Sequence, residues 1–338
     1  MNFAILLSIA LVILLGFASH RASLCTVKAV AEILTSGTAY MLSSFAKSAA
    51  WATAVSGAIL LFTSASGAPV LERTPHAFAL AGGFMFGVGA AVNSGCSLST
   101  LQRLADGDLT MLGTLAGFIA GVLGWSLLDL PLGLTALHML PPLWRAAQGW
   151  ILPLLTVLWL WALREIARQW YSHNTAERLR RRMAARTYRL SSAAAVMGIA
   201  GGLLYTLQGA WTYTNFLRTE AISWFHTVPP PSAVHGFLLV ALFAGMLFSS
   251  LQRRSFALQY DWHNNLGRRL GGGFLMGAGG ALVPGGNDTL ILSAIPTLSP
   301  WALGTYLALL AGVAITLITM RALTGSLARV ECTNDRCA

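Results

Sequence analysis

Four side chains in this sequence are thiols, Cys25, Cys96, Cys332 and Cys337, and two of them stand where chemistry is most easily done. Cys96 lies in Asn93-Ser94-Gly95-Cys96-Ser97, a polar, turn-forming cluster inside apolar sequence. A buried thiol is normally a small hydrophobe. Flanked by Gly and Ser in a chain break, it offers instead a weak, polarizable donor suited to a soft, sulfur-containing ligand. Cys25 follows the first apolar run, at the stage that Thr212 occupies in the second half, and for it the hydrophobic and functional readings balance. A second cluster, Pro284-Gly285-Gly286-Asn287-Asp288, interrupts apolar sequence in the same way, and Gly286 stands where Cys96 stands in the first.

Metal binding competes for the thiols, but no Cys-x-x-Cys occurs and the histidines show no ligand spacing beside them. No Walker loop, Ser-His-Asp set or paired catalytic carboxylates can be found, so no cofactor and no catalytic residue is expected. Cys332 and Cys337 lie in the polar tail ECTNDRCA; they form either a local disulfide, if the tail faces an oxidising compartment, or a structureless thiol-bearing end.

What holds the clusters in place follows from composition. The chain has 338 residues, 55% hydrophobic and only 10% charged, against roughly 25% charged in soluble domains. Uncharged runs cover 2–19, 48–71, 109–128, 146–163, 190–217, 270–287 and 289–320. A helix needs ~20 residues to cross a bilayer, so about eight full spans plus partial helices are expected. Every backbone amide in lipid must be paired internally, which makes an all-α polytopic membrane bundle the expected fold. The first run is expected to persist as a helix: no Lys or Arg precedes it, Phe17-Ala18-Ser19-His20 is a poor cleavage site, and the bulky Leu24 before Cys25 argues against a lipoprotein anchor.

The net charge of +10 is concentrated. Residues 164–189 carry eight Arg, which the positive-inside tendency assigns to the cytoplasm together with Arg253, Arg254, Arg268 and Arg269. The basic balance therefore reports orientation, and a nucleic-acid partner is excluded for want of an aromatic-interleaved soluble face. Most of the eleven Trp are expected at the interfaces and in packing. His20, Arg21 and Lys28 surround Cys25 and either draw an anion into a vestibule or serve as loop charges; Arg103 is a weaker candidate for the same role.

The halves repeat each other. Residues 82–95 (GGFMFGVGAAVNSG) and 272–285 (GGFLMGAGGALVPG) share seven identities in fourteen, and Leu112 to Val122 and Leu303 to Val313 share six in eleven. Two repeats, 1–130 and 190–322, are thus joined by a 131–189 connection with its Arg-rich segment, and a tail follows at 323–338. Duplicated transporters place substrate where the repeats meet, between discontinuous helices. A break exposes helical amides that attract anions. Ser97 or Ser99 can cap the first half-helix, and Asn287 or Asp288 the second, Asp288 mainly as a cap rather than a proton or cation site.

The paired GGFxxGxGxA segments, the NSGCS and RASLCT thiols and the PGGNDTL segment resemble the YeeE/YedE family of sulfur-compound transporters over essentially 1–322. The resemblance implies inverted, pseudo-symmetric halves with re-entrant helices around a narrow path in the bacterial inner membrane. It also implies thiols that pass thiosulfate by hydrogen bonds to sulfur. Those roles fall on Cys25 and Cys96, with Asn93, Gly95, Ser97, Gly285, Gly286, Asn287 and Asp288 completing the path. A third family thiol falls at or beside Gly286, where this sequence has none. Cytoplasmic sulfur-carrier or sulfurtransferase partners are implied too, with the Arg-rich segment as docking surface. The alternatives are a membrane thiol-disulfide oxidoreductase built on Cys25 and Cys96, and a non-transporting subunit of a membrane complex.

Overall fold

The computed structural model describes residues 3–62, 70–72, 76–128, 138–140, 148–171, 185, 187–224, 230–260, 262–283, 285–299, 301–327, 329–333 and 335–337. Nearly all of it is helical. The first half comprises α1 (Phe3–Arg21), α2 (Thr26–Ser36), α3 (Tyr40–Phe62), α4 (His76–Asn93), α5 (Ser97–Ala105) and α6 (Met111–Leu127). After α7 (Gln148–Tyr171) come α8 (Leu190–Gln208), α9 (Tyr213–Ser223), α10 (Ala233–Arg253) and α11 (Trp262–Leu282). A short α12 (Asn287–Thr289) then widens into a π-turn over Leu290–Ala294, and α13 spans Ala302–Thr324. Strands β1 (Val70–Glu72) and β2 (His138–Leu140) pair antiparallel, as do β3 (Cys332–Thr333) and β4 (Arg336–Cys337) in the tail.

Six helical stretches among the described residues are long and apolar enough to cross a membrane: α1 with α2, α4 with α5, α7, α8 with α9, α10, and α13. The sequence suggests about eight by the ~20-residue criterion. α3 and α11 have the length too, 23 and 21 residues, and α11 is diluted by Asn264, Asn265, Arg268 and Arg269 in its first half. The outer faces are apolar: Val157, Leu160 and Leu163 on α7, Phe237, Val240 and Phe248 on α10, and Leu303, Leu307 and Ile315 on α13 are all more than half exposed. Water would make such a surface costly, so this is a multi-pass membrane protein whose belt faces lipid.

The interior is assembled by exchange between the halves. α6 packs along α11 and α13 along α4; α1 lies against α10 and α8 against α3; α1 meets α8 and α4 meets α11. In the α1–α8 pair, Gln208 Nε2 donates to Ser8 Oγ (2.9 Å) near one end and the Tyr188 amide donates to the Arg21 carbonyl (3.2 Å) at the other, so the two helices run antiparallel. In the α4–α11 pair the backbones nearly touch. A Cβ on Gly89 would fall 2.6 Å from the Gly272 carbonyl oxygen, and one on Gly279 would fall 2.5 Å from that of Gly82. Gly83 and Gly87 press on the carbonyls of Thr305 and Leu309, as Gly273 and Gly277 press on those of Thr114 and Phe118. Small residues are what allow helices to approach this closely without a hydrophobic drive in lipid.

Two buried groups set the turns near Cys25. Glu32, fully buried, accepts hydrogen bonds from Thr38 Oγ1 (2.6 Å) and from the amides of Tyr40 and Met41 (both 2.9 Å), which satisfies the start of α3. Gln102 of α5 donates to the carbonyls of Ser19 (3.1 Å) and Leu24 (3.3 Å), tying α5 to the α1–α2 turn.

Candidate functional site

The Gly-rich helices end at the two polar clusters. α4 closes with Ser94 in the left-handed region (φ 58°), its amide bonded to the Ala91 carbonyl and that of Gly95 to Ala90 (both 2.9 Å). α11 closes through Gly285 (φ 99°), a conformation that costs glycine nothing. Each break then starts a new helix: α5 with Cys96 in extended conformation at its N-cap position, α12 with Gly286. Cys25 is likewise the extended N-cap residue of α2, and Thr212 that of α9.

Cys25 and Cys96 come together. Both are free thiols, 2% and 1% exposed, and their side chains are in hydrogen-bonding contact. Each also faces the other's helix. The Cys25 sulfur is met by the amides of Cys96 and Lys28, and the Cys96 sulfur by those of Thr26 and Ser99. Cys25 Sγ further donates to Ser99 Oγ (3.4 Å). Two helix N-termini thus converge on one pair of sulfurs, a setting that favours negative charge.

Around them lie buried hydroxyls. Thr26 Oγ1 and the Tyr306 hydroxyl face each other, and Ser97 Oγ faces the Tyr213 phenol, but none of these contacts has good hydrogen-bond geometry among the described residues. Leaving such groups dry costs about 1–3 kcal/mol each, which a ligand would recover.

Three cavities meet at the first turn of α5. The largest, about 100 Å³, is lined by Cys25, Ser99, His20, Lys28, Arg103 and Asp106 among others. Lys28 lines this cavity beside the Cys25 sulfur, as does Arg103, which is ion-paired with Asp108 (2.6 Å). Arg21 departs from the vestibule reading. Its guanidinium is 1% exposed, lies over the Phe17 ring, and bonds to Ser249 Oγ (3.1 Å), to Gln252 and to the Ala185 carbonyl, so it is a structural clamp. His20 joins Ser249 Oγ (2.9 Å) and Asp106 Oδ1 (3.1 Å) in the cavity wall. Burial alone would raise the Asp106 carboxyl, but hydrogen bonds from His20, Ser255 and Ser250 hold it below its ordinary value. A second cavity, about 30 Å³, is lined by Leu98, Tyr213, Thr212, Asn287 and Asp288, and a third, about 10 Å³, by Ser97, Thr100 and Tyr213. Residues 97 to 100 therefore turn successively into all three, as a 100° step per residue requires.

Of the other expected site residues, Asn93 is used up in structure. Fully buried, it donates to the Gly95 carbonyl (3.0 Å) and Thr100 Oγ1 (3.2 Å) and accepts from Thr114 Oγ1 (2.8 Å) and Arg269. Gly95 sits where a Cβ would meet Ser99 Oγ at 2.5 Å. The serine caps expected at α5 are absent: Cys96 holds the cap position with its sulfur facing the Ser99 amide, and Ser99 Oγ donates to the Cys96 carbonyl (3.0 Å). In the second break Gly286 takes the cap position, which moves Asn287 and Asp288 into the first turn. Asp288 accepts from the Thr214 hydroxyl (2.5 Å) and amide (3.3 Å), which ties the turn to α9. The Asn287 Oδ1 is buried without a partner. Thr26, Tyr213, Thr214 and Tyr306 escaped the sequence reading. Only the position of Thr26 after Cys25, and of Tyr213 and Thr214 after Thr212, pointed towards them.

The tail disulfide between Cys332 and Cys337 is formed. Glu32 lies close to both sulfurs, but its carboxylate already serves the start of α3. Of the Arg-rich stretch, Arg164 and Arg168 stand on α7 and Arg189 at the start of α8; Arg178, Arg180, Arg181, Arg182 and Arg186 lie outside the described residues, and with them most of the expected docking surface.

No curated protein matches this sequence. The profile of one protein family, described as Sulphur transport, matches residues 21–315, a stretch that takes in both thiols, both breaks and every cavity-lining residue named above except His20, which α1 adds from just upstream. A membrane-embedded helical chain with paired thiols under converging helix N-termini, matched over most of its length, belongs to the Sulphur transport family, the YeeE/YedE family of the sequence resemblance.

Proposed function

We propose that this protein moves a small sulfur-containing anion, thiosulfate or a close relative, across the bacterial inner membrane through the gap held by Cys25 and Cys96. One observation carries the reading: two free thiols touch, Cys25 on the wall of a cavity that Lys28, Arg103 and Asp106 also line, and each faces amides at the start of the other's helix. Cations draw an anion inward, amides stabilise its charge, and a soft sulfur atom finds polarizable partners. The path continues past Ser97 and Gly95 towards Gly285, Gly286, Asn287 and Asp288, while Asn93 holds the break in shape.

The halves are inverted copies whose breaks are re-entrant. Support comes from the antiparallel α1–α8 pair and from the exchange of equivalent glycine contacts, Gly89 on Gly272 and Gly279 on Gly82. The Arg21 clamp on Ala185 supports setting the cationic cavity beside the Arg-rich segment, whose partners would be sulfur-carrier or sulfurtransferase proteins.

The test is growth and labelled-thiosulfate uptake in a bacterium lacking its own sulfur-uptake systems. The parent chain should restore both, and Cys96→Ala should abolish uptake without loss of protein from the membrane. Equal uptake by parent and Cys96→Ala removes the assigned path. The contact between the thiols also favours a second reading, a thiol-disulfide oxidoreductase. That reading requires a Cys25–Cys96 disulfide that appears and disappears with substrate, visible by alkylation and mass spectrometry; permeation requires thiols that stay reduced.

A further inference from the structure

We propose that Asp288 binds and releases a proton on each cycle, so that the anion enters together with a proton; this rests on the transport reading above. Asp288 is 6% exposed and lines the second cavity, across the first turn of α5 from the cationic one. Ion pairs among the described residues do not include it. Its partners are the Thr214 hydroxyl and amide and the amides of its own first turn. A carboxylate without a cation at this depth is expensive, and a proton is the cheapest remedy.

The groups facing it do not offer another. α9 brings Tyr213, whose phenol is buried beside the carboxyl, with Arg218 and Glu220 further along the helix. α5 brings the Cys96 thiol, and α13 brings Tyr306 beside that thiol. From α3 and α8 the cavity receives Phe45, Met197, Gly201 and Leu204, and from α1 and α10 Leu15 and Leu242, none of which titrates.

The surroundings also supply a route. Thr214 Oγ1 lies 2.5 Å from Asp288 and 3.2 Å from Thr289 Oγ1, which lies 2.5 Å from Thr212 Oγ1 on the wall of the same cavity. All four side chains are less than a tenth exposed. Hydroxyls donate and accept alike, so reversing their O–H bonds passes a proton between cavity and carboxyl with no atom moving far. Ionised, Asp288 repels an anion at the gap; protonated, it does not. Each therefore favours the other's binding, by reciprocity. One proton per anion also removes one charge from the transfer against an inside-negative potential, where each charge costs about 2.3 kcal/mol per 100 mV.

Two measurements test this on the purified full chain in liposomes. In the infrared, the parent should show a protonated-carboxyl band at neutral pH that Asp288→Asn loses and Asp288→Glu restores at a shifted frequency; an Asp288→Asn spectrum that keeps the band overturns the proposal. With a pH dye inside, external labelled thiosulfate should acidify the lumen as it enters, and uptake should rise by up to about tenfold per unit of external acidification while the site titrates. Asp288→Asn should lose the acidification and Asp288→Glu regain it. Label entering without acidification overturns the coupling and leaves transport standing. No entry of label overturns the transport reading, and the coupling falls with it.

Discussion

Thr26 is fully buried beside both thiols, with the Tyr306 hydroxyl as its side-chain neighbour, so its oxygen sits where a ligand at the sulfurs would meet it. Thr26→Val keeps the shape and removes the oxygen. It should leave the melting temperature unchanged or higher, while weakening apparent affinity for thiosulfate by about 1–3 kcal/mol in labelled-uptake assays. Asp106 makes the opposite kind of prediction. Its carboxyl is held below its ordinary value in the folded chain, so its contribution is present above the unfolded value of about 3.9 and is lost as pH falls through the folded one. Thermal stability in detergent should therefore fall below about pH 4, and Asp106→Asn should flatten that fall while lowering stability at neutral pH. At this scale the sequence was informative where a residue type was rare. A thiol beside Gly and Ser in a break stands out, which made Cys96 legible. Thr26 and Tyr306 are ordinary residues 280 positions apart in the chain, and only folding brings them to one sulfur. Asn93 was ambiguous for a related reason: a polar side chain in a break serves a ligand or the break itself, and its four partners come from segments that adjacency does not reveal.

Among the elements, α4 and α11 were the most legible, because their glycines recur in both halves at matching spacing. What sequence left open was whether those glycines pack against lipid, against side chains or against one another. The contacts answer with backbone on backbone, and the answer can be probed by adding a single methyl. Gly89→Ala and Gly279→Ala each drive a Cβ into a carbonyl oxygen and should cost about 1–3 kcal/mol or more, by similar amounts, in thermal unfolding of the detergent-solubilised protein. Gly271→Ala, on the same helix but with open space around its Cβ, should instead stabilise by about 0.5–1 kcal/mol. Helix starts were harder to foresee. Capping preferences favoured Ser97 or Ser99 and Asn287 or Asp288, yet tertiary placement handed the cap positions to Cys96 and Gly286, so that at α5 a thiol stands where an oxygen acceptor is usual.

For the molecule as a whole, composition alone was enough to predict a helical membrane bundle, since one charged residue in ten cannot clothe a soluble surface of this size. The place of the tail was not foreseeable. It folds back so that Asp335 accepts from the Leu190 amide through its carbonyl (2.8 Å) and from the Ser191 amide through its carboxylate (3.1 Å), while the Val330 amide donates to Thr35 Oγ1 (3.2 Å). The chain end thereby fastens the start of α8 to the end of α2. Asp335→Ala should cost on the order of 1 kcal/mol, the usual worth of a capped helix amide, and should loosen the tail to protease before the bundle melts. The meeting of α4 and α11 has a different reach. Main chain laid on main chain has no rotamers to relax, so that line acts as a keel. Its amides should be the last to trade hydrogen for deuterium, softening on heating should begin at the rim around α7, and whatever passes through the centre must do so by small movements of side chains within a frame that does not rock.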